Sequence, residues 1–248
     1  MASAFERPRH AAGLDFDVEK GAALNAFAER TVRQGFVRKV FGLLAVQLAL
    51  TTVIAGTFVT STAVKTFVAA HPWVLMLGML AGFGILLTLT LSSSARQSHP
   101  TNLILLFVFT AAEGVLVGAA SSASRTDVVL LAFGLTAGIT AAMTVYALTT
   151  KNDLTMSGAA LYSCLWGLLL AGLVGMFVRT SAFNILLSAV GAVVFSVYIA
   201  YDVQCLLGGE HKYAVSPDEY VLGAIAIYLD IINLFMHILR LLNEANRN

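Results

Sequence analysis

Charge is the property that this sequence has least of. Only 12% of its 248 residues are charged, whereas an ordinary soluble domain has about 25%. The 15 basic and 14 acidic residues leave a formal net charge of +1, so the chain has no overall field that would attract nucleic acid or another polyanion. The composition therefore excludes a disordered chain and a basic nucleic-acid-binding protein.

Cysteine pairs and catalytic motifs are missing as well. The two cysteines, Cys164 and Cys205, are too few for a disulfide-stapled secreted module and lack metal-ligand spacing, so we interpret both as small buried hydrophobic residues. The five histidines form no H-x-x-x-H or HExxH pattern, and the sequence contains no G-x-S-x-G, Walker or G-x-G-x-x-G motif. We expect neither an enzyme nor a bound cofactor.

Long apolar runs are what the sequence has in abundance. Hydrophobic residues make up 58% of the chain, and a helix that crosses a bilayer needs about 20 of them in a row. Continuous runs without period-2 alternation favour helices over a membrane barrel. The predicted fold is an all-α membrane protein with six to seven transmembrane helices. The windows are 41–61, 73–93, 101–121, 128–149, 157–178, 183–203 and, less cleanly, 220–241.

The first 34 residues differ from the rest and are predicted to be a cytosolic tail. Segment 1–20 is polar and is expected to be mobile, whereas segment 22–40 mixes apolar and basic residues, which is typical of a helix lying on the membrane surface. The first strongly apolar run starts near residue 40 at full span length, so we expect no cleaved signal peptide. Residues 35–248 are assigned to one helical bundle.

Lysine and arginine are unevenly distributed between the two sides of these windows. Ten lie in the N-terminal tail and in the second, fourth and sixth loops, against three in the opposite loops, which predicts a cytosolic N-terminus. Arg240 and Arg247 stay on the cytosolic side only if the last window enters and leaves the membrane by the same face. The basic residues therefore favour six crossings and a re-entrant seventh segment over seven full crossings.

Three acidic residues lie within the apolar windows, where an ionised group costs at least about 2.5–3.5 kcal/mol. Glu113 is interpreted as a structural group, because Gly114 and Gly118 beside it indicate close helix packing. Asp202, at the end of the sixth window, fits a structural or a functional role equally well. Asp230 lies about ten residues from either end of the last window and cannot easily reach water, so it is the strongest functional candidate.

Asp230 is accompanied by other polar residues. Asn233, His237 and Arg240 follow it at +3, +7 and +10, which places all four on one helical face. Such a face would be very costly in lipid. We therefore expect it to line the interior of the bundle or an aqueous vestibule.

Asp202 also has polar neighbours, since Tyr198 is one turn earlier and Tyr201 is adjacent. Their hydroxyl groups could share its proton or its lone pairs. If Asp202 and Asp230 meet, the two carboxyl groups would titrate together and would form a pH-sensitive latch. Nothing in the residue pattern alone establishes that contact.

Two segments of the sequence resemble the transmembrane Bax inhibitor motif family, and in particular its Lifeguard branch. The first is YDVQCLLGGEHKYAVSPDEYVLGAIAIYLDIINLFMHILR at 201–240, and the second is FVRKVFGLLAVQLALT at 36–51. The resemblance extends over about residues 30–245. In the first segment the matching residues are Tyr201, Asp202, Gln204, Ser216, Pro217, Tyr220, Gly223, Ala224, Tyr228, Asp230, Ile231, Ile232 and Phe235.

The resemblance implies a seven-helix bundle with the last helix at its centre. It also implies that Asp202 and Asp230 are the family's paired aspartates, which bind calcium transiently and form the pH-responsive gate of a calcium leak. Some bacterial relatives have a basic partner for these aspartates in the second span, but window 73–93 contains no Lys or Arg. Arg38 and Arg240 are the candidates for that partner here.

The expected function is therefore a calcium-permeable leak channel of the endoplasmic reticulum or Golgi that restrains programmed cell death. Calcium takes 6–8 oxygen ligands, and two carboxylates supply few of them, which suits an ion that must also leave. The expected partners are the lipid bilayer and cell-death regulatory membrane proteins. The alternatives are a non-conducting membrane scaffold that regulates such proteins, a proton-coupled transporter and, more remotely, an intramembrane hydrolase.

Overall fold

The computed structural model describes residues 9–178, 180–208 and 215–246. These residues form helices and connections, with no strand among them, which confirms the predicted all-α class. Two short 3-10 turns, Leu154–Ser157 and Pro217–Glu219, precede α7 and α9. The helices are α1 (Arg9–Thr60), α2 (Thr62–Ala70), α3 (Trp73–Leu91), α4 (Ser93–Gln97), α5 (Thr101–Ser122), α6 (Thr126–Thr149), α7 (Gly158–Gly175), α8 (Ser181–Leu207) and α9 (Tyr220–Ala245).

Seven helical segments of the described chain are long and apolar enough to cross a membrane. They are Thr31–Thr60 of α1, the helices α3, α5, α6, α8 and α9, and Leu154–Gly175, which contains α7. Six of them start within about three residues of the predicted windows, because the hydrophobic runs alone determine where a span can lie. The chain is a multi-pass membrane protein.

Local capping residues explain where several of these helices begin. The hydroxyl groups of Ser61 and Thr180 accept hydrogen bonds from the backbone amides of Val64 and Phe183 and so cap α2 and α8. Pro72 and Pro100 precede α3 and α5. A proline at a helix start loses no hydrogen bond, since the first amides of a helix have no partner within it.

The last helix, α9, lies at the centre of the bundle. Of its span, 67% is buried, against 6% of the span that contains α7. It packs against α8 along most of its length and also against α1, α5 and α6. The helices around it expose large apolar side chains, such as Phe83 of α3 and Leu170 of α7, on their outer faces. The central position of the last helix was predicted and is confirmed.

This helix joins the two ends of the bundle. The near end is defined by the start of the span Thr31–Thr60, and the far end by the connections after α5 and α7. At the near end Glu219 forms an ion pair with Arg96 (3.0 Å), which follows α3. At the far end the carboxylate of Glu244 accepts a hydrogen bond from Ser181 at the start of α8 (3.1 Å).

The length and the packing of α9 therefore favour a full seventh crossing over the predicted re-entrant segment. A continuous helix of 26 residues is about 39 Å long, more than a hydrocarbon core of about 30 Å requires. Arg240 consequently lies toward the far end, and Arg247 lies outside the described residues. The distribution of basic residues is a statistical tendency, whereas α9 packs along the whole bundle, so the two observations favour different topologies.

The first helix also differs from the prediction. It continues without a break past residue 40, and Phe36 and Val40 are buried in the core. The last part of the predicted surface helix 22–40 therefore belongs to the bundle. The predicted mobile tail lies partly outside the described residues, and the backbone of 9–20 is helical.

Candidate functional site

The two aspartates meet where α8 and α9 pack together. Asp202 lies five residues before the end of α8, and Asp230 lies in the first half of α9. Their side chains form a hydrogen bond with one another. Because an ionised carboxylate can only accept, a hydrogen bond between two carboxyl groups requires a proton on one of them. The contact therefore allows the two carboxyl groups to share one proton.

The connection between α8 and α9 fixes the alignment of the pair. The backbone amide of Val215 donates to the carbonyl oxygen of Cys205 (3.0 Å), which closes the connection at the end of α8. A Cβ atom at Gly223 would come within 2.7 Å of the Leu206 side chain. The glycine therefore allows α9 to approach the last turn of α8 closely.

Not every polar atom near the pair is satisfied. Asp230 is only 6% exposed, yet its Oδ2 atom has no hydrogen-bond partner within the described chain. The same holds for Oγ of Ser188 on α8 and Nδ1 of His237 on α9. Buried polar atoms of this kind are normally paired with protein or ordered water. The contact between α8 and α9 thus contains unused hydrogen-bonding capacity on the far side of the pair.

The predicted polar face of α9 is only partly directed into the bundle. His237 lies against Gly191 of α8 and stacks on the ring of Phe195 at a centroid distance of 5.6 Å. Asn233 is half-buried and donates to the carbonyl oxygen of Leu229 on its own helix (2.8 Å). Arg240 is exposed. The expectation of an inward-facing row therefore holds for Asp230 and His237 and fails for Arg240.

Neither predicted basic partner contacts the pair in the described part of the chain. Arg38 is exposed on α1. Arg240 follows Asp230 by ten residues, which corresponds to about 15 Å along the helix axis. The basic residue that does reach the end of α8 is Arg33, which sequence reasoning missed because it is one of several basic residues in the N-terminal segment.

The two tyrosines beside Asp202 have different surroundings. Tyr198 lies within electrostatic range of both aspartates. The Tyr201 hydroxyl group forms a hydrogen bond with Cys205 and contacts Gly158, at the start of α7. Tyr198 is therefore near both carboxyl groups of the pair, whereas Tyr201 is near Asp202 alone and also packs α8 against α7.

Gln204 holds the connection between α6 and α7 close to the pair. Its Oε1 atom accepts a hydrogen bond from the backbone amide of Leu154 (2.7 Å), and its Nε2 atom donates to the carbonyl oxygen of Asn152 (3.0 Å). Gln204 is fully buried and lies two residues after Asp202. The sequence marked Gln204 as one of the residues that match the family segment, but it did not predict this contact with the connection between α6 and α7.

Glu113 lies apart from this arrangement. It is half-buried on α5, and its Oε1 atom lies 3.3 Å from the position that a Cβ of Gly82 on α3 would occupy. No described residue forms a hydrogen bond with its carboxylate. Gly114 and Gly118, which follow it in sequence, instead contact Ile54 and Phe58 of α1. The close packing predicted for these glycines is confirmed, but Glu113 itself faces α3.

The described residues contain no cluster of three or more His, Cys, Asp or Glu side chains that could hold a metal ion. Asp202 and Asp230 supply two carboxyl groups to an ion that takes 6–8 oxygen ligands. Two carboxyl groups alone do not complete the ligand shell of a bound calcium ion.

Comparison with known proteins identifies relatives over nearly the whole chain. A family model described as "Inhibitor of apoptosis-promoting Bax1" matches residues 33–248. The chain is 39% identical over 234 residues to the Golgi anti-apoptotic protein of Vaccinia virus, covering 94% of this chain and 95% of the relative. It is 37% identical over 234 residues to protein lifeguard 4 of Mus musculus, covering 94% of each chain. Bax inhibitor 1 of Schizosaccharomyces pombe is 34% identical over 220 residues, covering 88% of this chain and 80% of the relative.

Proposed function

The chain belongs to the Bax inhibitor family, and on that premise we propose that it is a pH-sensitive calcium leak channel of an intracellular membrane that restrains programmed cell death. The observation that carries the proposal is the hydrogen bond between Asp202 and Asp230 at membrane depth. An ionisable residue inside a membrane bundle is by default a functional one.

The shared proton supplies the mechanism of control. While the pair holds the proton, the two helices are joined and one of the two carboxyl groups is neutral. Loss of the proton leaves two negative charges in contact, which repel each other and attract a divalent cation. Because a proton and calcium compete for the same oxygen atoms, the leak should increase as the pH rises.

The site also has the low affinity that conduction requires. An ion that binds in a pore must leave again, so a site with few fixed ligands conducts better than a complete calcium cage. The unpaired Oδ2 of Asp230 and the unpaired atoms of Ser188 and His237 provide positions for water between α8 and α9. These atoms support a hydrated route from the pair toward the far end.

The cellular setting is proposed from the relatives. The Vaccinia virus relative is named a Golgi anti-apoptotic protein, so we place this chain in the Golgi or endoplasmic reticulum, with its N-terminus in the cytosol. Its partners would then be the lipid bilayer and membrane proteins that regulate cell death. The calcium leak would lower the releasable calcium store and thereby restrain death signals.

Calcium flux into liposomes tests this proposal against its alternatives. The full-length protein is reconstituted into vesicles that contain a calcium dye, and calcium is added outside at neutral pH. A leak channel gives dye signal above that of protein-free vesicles, whereas a non-conducting scaffold gives none. A flux that requires an imposed proton gradient would identify a proton-coupled transporter instead.

A further inference from the structure

One arginine of α1 reaches the end of α8. The Nη1 atom of Arg33 donates hydrogen bonds to the carbonyl oxygens of Val215 (2.7 Å) and Leu206 (3.3 Å). The guanidinium group also lies over the ring of Phe36, at 5.4 Å from its centroid. The residue that it holds, Leu206, is one helical turn after Asp202. Arg33 therefore connects α1 to the turn that follows the aspartate.

Gly208 forms the other side of this contact. It has a φ of 59°, a conformation that favours glycine. A Cβ atom there would lie 2.8 Å from Cζ and 2.9 Å from Nε of Arg33. Both the backbone conformation and the guanidinium group therefore require the absence of a side chain at this position.

Electrostatics favour a cation at this place. The last carbonyl groups of a helix have no partners within it and carry a partial negative charge. A guanidinium group that donates to two carbonyl oxygens neutralises this charge and fixes the helix end with directional bonds. The amides of Gly208 and Val215, which donate to the carbonyl oxygens of Gln204 and Cys205, complete the same turn.

We propose that Arg33 is a positioning residue of the aspartate gate, which acts from α1 on the last turn of α8 and keeps Asp202 within hydrogen-bond distance of Asp230. This inference rests on the proposed function. Arg33 does not contact the permeant ion, and its effect reaches the pair through the backbone of α8. Without Arg33 the end of α8 loosens, the shared-proton state is lost more readily, and the leak begins at a lower pH.

The other titratable groups around the pair do not replace Arg33, because none of them is a permanent cation. On α8 and beside α7 these groups are Tyr198, Tyr201, Cys205, Cys164 and Asp153. On α9 the nearest is His237, which packs against Gly191 and Phe195 of α8 and not against the end of that helix. The groups on α8 and beside α7 are neutral when protonated and negatively charged when ionised. Loss of the Arg33 contact is therefore not compensated from α7 or α8.

The test compares Arg33→Gln with Lys151→Gln in the full-length protein. Lys151 is exposed at the same end of the bundle, so this variant removes one positive charge without affecting the contact. Hydrogen–deuterium exchange is followed at the amides of Gly208 and Val215, and calcium leak is followed over a pH series in liposomes. Arg33→Gln should accelerate exchange roughly tenfold, since hydrogen bonds to a charged group are lost, and should shift the leak midpoint to lower pH. Lys151→Gln should change neither.

Two further variants keep the test decisive if Arg33→Gln folds poorly. Arg33→Lys retains the positive charge but lacks the planar guanidinium group. Its exchange rate and its leak midpoint should lie between those of wild type and Arg33→Gln. Gly208→Ala should resemble Arg33→Gln, and its effect should shrink in the Arg33→Gln background, because the collision with the guanidinium group is gone.

The outcomes separate this inference from the proposed function. Unchanged exchange and an unchanged pH profile in Arg33→Gln would overturn the inference, as would additive effects of Arg33→Gln and Gly208→Ala. If wild-type protein gives no leak at any pH, the proposed function fails, and the exchange measurement alone decides whether Arg33 holds the end of α8.

Discussion

At the scale of single residues, the buried polar side chains fall into two groups. One group is paired between helices, as in the hydrogen bonds of Thr51 with Tyr228 (2.8 Å) and of Gln47 with Thr110 (3.0 Å). Such bonds contribute only about 0.6 kcal/mol each on average in membranes. They therefore determine how the helices align with one another more than how stable the bundle is. The other group includes Asp230, which lies against Asp202 and has no hydrogen-bond partner at its Oδ2 atom within the described chain. The titratable residues of this second group can gain or lose a proton as the pH changes.

The shared proton should make stability depend on pH. Above the pH at which the pair loses its proton, two like charges remain in contact, so the melting temperature of the wild type should fall as the pH rises through that transition. Asp230→Asn should remove the fall, because an amide can donate to Asp202 without a titratable proton. Thermal unfolding in detergent over a pH series measures both. An equal decline in the variant would show that other groups cause it.

Glu113 should prove to be structurally tolerant. It faces Gly82 of α3 and has no hydrogen-bond partner in the described chain, so Glu113→Gln should leave the melting temperature and the calcium flux close to wild type. The two measurements together decide its role. A variant with normal stability and abolished flux would place Glu113 in the ion path.

At the scale of helices, α1 and α5 are joined by glycine contacts. A Cβ atom at Gly118 would lie 2.8 Å from the ring of Phe58, whereas nothing lies within 4 Å of the corresponding position at Gly138 of α6. Gly118→Ala should therefore lower the free energy of unfolding by about 1–3 kcal/mol. Gly138→Ala is the matched control and should be neutral or slightly stabilising, since alanine favours a helix. Equal effects in a denaturant titration would contradict the proposed packing.

The helices themselves could be predicted, but their contacts could not. Apolar run length determines where a span lies, and the windows therefore agree with the helices to within a few residues for most spans. The pairs Gly114/Gly118 and Gly134/Gly138 have the same spacing, and only the fold shows that the first pair is packed. The contact of Asp202 with Asp230 needed the antiparallel packing of α8 and α9, which no spacing within one helix reveals.

At the scale of the whole molecule, the central position of α9 decides the topology. Because α9 passes from the near end to the far end, the two termini should lie on opposite sides of the membrane. The excess of Lys and Arg at the near end predicts that the N-terminus lies in the cytosol. Protease protection of tags on each terminus in sealed vesicles tests this. Two tags on the same side would restore the re-entrant alternative.

Control of calcium flux by the proton that Asp202 and Asp230 share is the property on which the proposed function depends. The most direct measurement is calcium entry into liposomes over a pH series for wild type, Asp230→Asn and Asp127→Asn. Asp127 lies away from the aspartate pair and forms an exposed ion pair with Arg125. Its substitution also removes one negative charge and should change the stability of the protein little. Flux should rise with pH in wild type and in Asp127→Asn, and should be nearly independent of pH in Asp230→Asn. A full pH response in Asp230→Asn would contradict the account.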